Sequence, residues 1–291
     1  ALGACLPAPA TPSDAAGRPG LSATNAATPA PNAAPAPALE VAVASSDLAV
    51  GAERFAFGLM DDQGQLVPDA RLSLAFFRIE GDQAIEAGRA PARYFAAPAG
   101  ASGLYVAQTR FDRAGVWGLE VSGTLAEGQA LAPQRLRFTV AGRSSGPALG
   151  EEPPDIDQAV LEEGGDPRSL STDPHPDPDL YRMTVAQAKR SGRPSLLLFA
   201  TPGLCQSEIC LPVMEEVKAI KARYAGRINV LHLEVYASLN QPGELSPAMK
   251  AWGLNTEPWV YLLDARGRVA ARLEGWAPAA EIEPLLQPLL P

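Results

Sequence analysis

FATPGLCQSEIC, residues 199–210, carries two of the three cysteines of a 291-residue chain, with four residues between them. An apolar run ending at Phe199 and Ala200 leads into it, and Thr201, Pro202 and Gly203 break regular structure. Pro212 follows shortly after. Proline cannot donate an intrahelical hydrogen bond and sits best in a first turn, which predicts a helix starting near Cys210. Inside a helix, residues five apart are separated by roughly 7.5 Å of rise and lie on different faces. A disulfide needs Cα atoms within about 7 Å. Cys205 and Cys210 can therefore bond only if Cys205 lies in the loop or the first helical turn unwinds. The pair reads as a working dithiol, a metal clip or a structural staple.

The surrounding segments alternate in type. Residues 184–191 predict a short helix with Thr184 as its cap, and residues 194–200 form a continuous apolar strand of the kind buried on both faces. After the cysteines, Val213, Val217, Ile220 and Tyr224 recur at helical spacing, and Gly226 suits the stop. Residues 228–236 read as a second buried strand and residues 246–253 as a short helix. Residues 258–264 and 269–275 make a hairpin, and a helix closes the chain. Upstream, LEVAVAS, RFAFGLMD, ARLSLAFFRI, GLYVAQTRF, WGLEVSG and RLRFTV are short apolar-alternating runs within residues 39–141, separated by turn residues. They predict an antiparallel β-sandwich without Cys or His. Between the two lies an acidic, Pro-rich stretch, 142–179, expected to be a linker with little regular structure. His175 within it reads as an exposed residue.

Two resemblances follow. The stretch GLYVAQTRFDRAGVWGLEV, residues 103–121, resembles two late strands of immunoglobulin-like bacterial domains joined by an A-G-x-W corner, which makes Trp117 a core residue. Residues 180–291 resemble the thioredoxin fold, and Phe199-Ala-Thr201, Glu257-Pro258 and Asp264-x-x-Gly267 are similar to the motifs of membrane-tethered thiol–disulfide oxidoreductases of the TlpA type. The fold class expected is thus multidomain: an all-β immunoglobulin-like sandwich followed by an α/β thioredoxin-like fold. The resemblance implies that Pro258 is cis and faces Cys205. Ser171-Thr-Asp-Pro174 ahead of the fold also looks like a family of bacterial two-domain thioredoxin-like proteins.

The cysteine spacing departs from the usual C-x-x-C and keeps alternatives open. C-x4-C after T-P-G looks like peroxiredoxins of the bacterioferritin-comigratory type, but the T-x-x-C turn, its upstream Pro and the peroxide-polarising Arg are missing. A copper chaperone of the Sco type would need a His beside the two thiolates; the candidate, His232, alternates within a strand and reads as a hydrogen-bonded sheet residue. A binding-only thioredoxin-like domain with a structural disulfide is the remaining alternative.

Lys plus Arg number 24 against 33 Asp plus Glu, a net charge of −9, and no basic block occurs, which argues against a nucleic-acid partner. The third cysteine, Cys5, ends Leu2-Gly-Ala-Cys5, which resembles the end of a bacterial lipoprotein signal peptide. Since the chain starts at Ala, it reads as a trimmed precursor. Residues 6–38 are almost all small, polar or Pro, the composition of a disordered tether. The expectation is a lipid on Cys5, placing the protein on the extracytoplasmic face of a cell membrane, where a disulfide can persist. In this reading Cys205 is the nucleophile, Cys210 resolves the mixed disulfide, Pro258 shapes a groove, and protein thiols or disulfides are the partners. Glu208, between the cysteines, works against a low thiol pKa. No metal and no cofactor is expected.

Overall fold

The computed structural model describes residues 39–98, 103–205 and 209–291; Cys5, residues 6–38 and Glu208 lie outside them. The first half is built from β1 (Glu40–Val43), β2 (Gly51–Met60), β3 (Arg71–Glu80), β4 (Gln83–Phe95), β5 (Leu104–Phe111), β6 (Gly115–Thr124) and β7 (Ala130–Val140). All neighbours pair antiparallel, in the order β1-β2-β5-β4-β3-β6-β7. The long β4 pairs with β3 over residues 83–92 and with β5 over residues 93–95, so it joins β1-β2-β5 to β3-β6-β7. Phe55 of β2 meets Phe76 of β3 and Phe138 of β7 at 5.4 and 5.2 Å, so strands that are not neighbours in the sheet share one core. At the A-G-x-W corner Gly115 has φ 129°, a conformation that disfavours a side chain. Trp117 is buried there, edge-on to Phe111, and its indole N–H donates to the Arg113 carbonyl. It is a core residue.

In the second half, the Thr184 side chain accepts from the Gln187 N–H while Gln187 reaches back to the Thr184 N–H, a capping box opening α1 (Val185–Arg190). Then come β8 (Ser195–Phe199), α2 (Cys210–Arg223), β9 (Asn229–Leu233), α3 (Pro247–Trp252), β10 (Trp259–Leu263), β11 (Val269–Glu274) and α4 (Ala279–Leu286). The sheet order is β11-β10-β8-β9, with β8 and β9 parallel and the other pairs antiparallel. Every residue of β8, β9 and β10 is buried, which is why these segments read as largely apolar runs, with Ser195, Asn229 and His232 as buried polar members. This topology is the thioredoxin-like one. At the outer flank of β11, the Val269 N–H donates to the Glu151 carbonyl and the Gly150 N–H to the Val269 carbonyl.

Residues 142–179 hold only the 3-10 turns Pro167–Ser169 and, at their end, Pro178–Tyr181, in keeping with their composition. They differ from a free linker in being fixed. Ile156 and Leu161 are buried in the cores of the second half, and Lys189 of α1 donates to the Pro153 carbonyl and to Asp155. Asp173 is buried against Lys218 of α2 at 2.6 Å. Scattered apolar anchors and paired acids, too sparse to give a periodic pattern, hold the segment down.

Nor are the halves joined by that segment alone. Along β2, Phe55, Phe57 and Leu59 face the first core, while Ala56 on the other face joins Phe95 and Val106 against the second. Both faces of the strand are therefore buried. Arg54 pairs with Glu281, Arg272 of β11 pairs with Asp47 at 2.9 Å and Glu53 at 3.3 Å, and the Trp276 indole donates to the Ala96 carbonyl.

Candidate functional site

The cysteine loop leaves β8 at Ala200. Thr201 is fully buried, and its hydroxyl accepts the Val235 N–H at 3.0 Å, tying the loop to the end of β9. A turn returns the Leu204 N–H to the Thr201 carbonyl, and the Gly203 N–H donates to the Thr172 hydroxyl at 3.1 Å. Thr172 is itself held by Glu234, which accepts its N–H at 2.6 Å and its hydroxyl at 3.0 Å. Residues 171–174 thus form a brace under the loop.

Cys205 sits half-buried in the loop, and Cys210 is the first, fully buried, residue of α2. They are disulfide-bonded with Cα atoms 6.1 Å apart. Of the two arrangements the spacing allowed, Cys205 in the loop or an unwound first helical turn, the first is found. Pro212 lies in the first turn of α2.

The peptide bond between Glu257 and Pro258 is cis, as the resemblance implied. Glu257 is the functional candidate that sequence reasoning passed over. Its Oε2 accepts the Thr201 N–H at 2.7 Å and lies 3.4 Å from Cys210 Sγ. Burial pushes this carboxyl above the usual glutamate range. The Thr201 N–H opposes that shift, the nearby Glu234 carboxylate adds to it, and a hydrogen bond with Tyr236 again opposes it. The only signal in the sequence was an acid placed directly before the proline.

His232 does not join the cysteines. Its Nε2 donates to the Ala200 carbonyl at 3.0 Å, which leaves Nδ1 to accept from the Tyr181 hydroxyl at 2.8 Å. Burial holds its pKa below the ordinary value, so the ring is neutral, and its 4.0 Å approach to Glu234 is not an ion pair. With both nitrogens engaged it has no lone pair for a metal. His175 is exposed, as read.

A loop-to-helix disulfide beside a cis-proline loop, on a β11-β10-β8-β9 sheet, defines a thioredoxin-like domain. No family model matches the chain, and no curated protein does. Among solved structures it is similar to a Chlorobium tepidum protein described as thiol:disulfide interchange protein DsbE, at 17% identity and TM-score 0.35, covering 49% of this chain and 98% of that one. It is also similar to the exposed lipoprotein thioredoxin Etrx1 of Streptococcus pneumoniae strain TIGR4, at 15% identity and TM-score 0.33, covering 47% and 100%. A thioredoxin-family thiol:disulfide interchange protein of Chlorobium tepidum TLS gives 15% identity, TM-score 0.33, and 49% and 97% coverage.

Proposed function

We propose that the chain is a thiol–disulfide oxidoreductase that exchanges disulfides with protein partners outside the cytoplasm, anchored to a membrane by lipid on Cys5. The observation that carries this reading is the Cys205–Cys210 bond, which ties a half-buried loop sulfur to a fully buried one beside a protonatable carboxyl. An incoming thiolate attacks Cys205 Sγ, the Cys205–Cys210 bond breaks, and the electron pair passes to Cys210 Sγ. That sulfur is out of reach of water, so Glu257 supplies its proton. In the reverse direction the Glu257 carboxylate takes the proton back, and the Cys210 thiolate displaces the partner from Cys205. Pro258 borders the groove in which the partner's extended segment lies.

The strand order of the first half supports reading it as an immunoglobulin-like sandwich, with β1-β2-β5 in one layer, β3-β6-β7 in the other and β4 shared. Arg54–Glu281 and Arg272–Asp47 fasten it to the second half, and we read it as the support that holds that half. The test is capture. A Cys210→Ser variant is expected to trap a partner as a mixed disulfide through Cys205, and a Cys205→Ser variant is not.

A structural staple is favoured by one observation, the complete burial of Cys210. A redox titration by thiol trapping separates the two readings. A potential between about −270 and −120 mV is that of a catalyst, and one below about −300 mV is that of a staple.

A further inference from the structure

Cys205, Cys210 and Glu257 come from three separate places: the loop after β8, the first residue of α2, and the residue before Pro258. Yet the two Sγ atoms and a carboxylate oxygen all lie within 4.8 Å of one another. Zn–S bonds of about 2.3 Å and Zn–O bonds of about 2.0–2.2 Å put the ligand atoms of one tetrahedral ion roughly 3.5–3.8 Å apart, so only a small separation of the sulfurs is needed. The geometry points to a site for a thiophilic divalent cation of the zinc class, formed by Cys205, Cys210 and Glu257 once the disulfide is reduced.

The donor set selects the ion. Two thiolates suit Zn²⁺ or Cu⁺, and the carboxylate turns the preference toward the divalent ion, because oxygen donors suit harder cations. Glu257 is a half-buried group aimed at the sulfurs, not a solvated surface acid, and the Thr201 N–H and the Tyr236 hydroxyl orient it as outer partners orient a metal ligand. A second carboxylate, Glu234, lies near enough to act on Glu257, and a bound cation would relieve that repulsion. Three protein donors with water as the fourth ligand make the four-coordinate arrangement that zinc takes where it is not closed by protein on all sides.

Electrons and protons balance simply. A dithiol reductant gives two electrons and two protons to the Cys205–Cys210 bond and leaves as its own disulfide. The cation then displaces the two thiol protons to solvent. Oxidation consumes both sulfur donors, so the ion is held in the dithiol state and released in the disulfide state. While bound, it caps Cys205 and stops exchange.

The full chain, reduced and freed of reductant without oxygen, is titrated with Co²⁺ and then Zn²⁺. One equivalent is expected to give a thiolate-to-cobalt charge-transfer band that Zn²⁺ removes, and the oxidised chain is expected to give none. Glu257→Gln keeps both thiols and is expected to weaken Zn²⁺ binding, measured against a chromophoric chelator, by at least about tenfold, the loss that even an outer-partner change brings. Should that variant not fold, Tyr236→Phe, which removes a hydrogen bond to the carboxyl, is expected to weaken binding in the same direction. Absence of the band in the reduced wild-type chain overturns the proposal. So does Zn²⁺ binding by the variant as tight as by wild type, which would mean two thiols acting alone. Exchange is read separately by partner capture, so either result leaves the oxidoreductase reading to its own test.

Discussion

Arg54 and Glu281 meet as a two-pronged ion pair between the halves, with Nε–Oε1 at 2.7 Å and Nη2–Oε2 at 2.9 Å, both side chains buried. The same guanidinium donates to the carbonyls of Glu274 at 2.6 Å and Trp276 at 2.7 Å. Four acceptors converge on one planar fork, a geometry that Lys cannot reproduce. Removing one partner leaves the other as an uncompensated buried charge. Arg54→Ala is therefore expected to lose about 3–5 kcal/mol in urea denaturation. A loss below about 1 kcal/mol, the range of an exposed pair, would show that water reaches the clamp.

Glu257 makes stability depend on pH in a definite direction. Burial raises its folded-state pKa, so the folded protein holds this proton where the unfolded chain has released it. Its favourable contribution is complete below the ordinary glutamate value and is lost as pH rises through the raised one. The neutral isostere Glu257→Gln is expected to lack this decline. Relative to wild type it gains stability in denaturation series as pH rises above the ordinary glutamate value, while its disulfide exchange slows for want of a proton donor. Parallel pH curves for the two proteins would count against the assignment.

Gly203 allows the brace and the cysteine loop to touch. A Cβ placed there would stand 2.5 Å from the Thr172 carbonyl oxygen and 3.0 Å from its Cβ. Backbone must shift to relieve that overlap, so Gly203→Ala is expected to cost about 1–3 kcal/mol. It is also expected to change the rate of Cys205 alkylation in the reduced protein. An unchanged denaturation midpoint would mean that residues 171–174 do not support the loop.

Tyr181→Phe removes the donor to the buried Nδ1 of His232, and an unmade buried hydrogen bond costs about 1–3 kcal/mol. Because burial depresses the His232 pKa, its contribution is present above the ordinary histidine value near pH 6.5 and is lost as pH falls below it. Comparing wild type with His232→Gln from pH 7 down to pH 5 is expected to reveal that acid limb in wild type alone.

The second half was largely legible because its strands are short, mostly apolar and bounded by turn residues, and because Pro212 fixed where α2 begins. Strand β4 escaped notice for the opposite reason. QAIEAGRAPARYF is exposed at most positions and pairs with β3 along one part and β5 along the other, so its sequence has no sustained alternation. Residues 142–179 looked like a linker because single anchors such as Ile156 carry no period. Glu257 was invisible as a functional group because its partners, Thr201 and Cys210, lie far from it in sequence. They meet it only when β10 pairs with β8 and carries the residue before Pro258 to the cysteine loop.

The backbone of Gly150 and Glu151 lies along the start of β11, where the four-stranded sheet would otherwise end. Exposed strand flanks are templates on which other chains add and fibrils grow. Here a foreign strand arriving at Val269 finds its N–H and carbonyl already taken. A change that lifts Gly150 and Glu151 off Val269 while the rest of the chain stays in place uncovers those two groups, and such a protein is expected to self-associate with rising concentration even where its fold survives. The acidic segment is, in this sense, the molecule's own guard against sticking to itself.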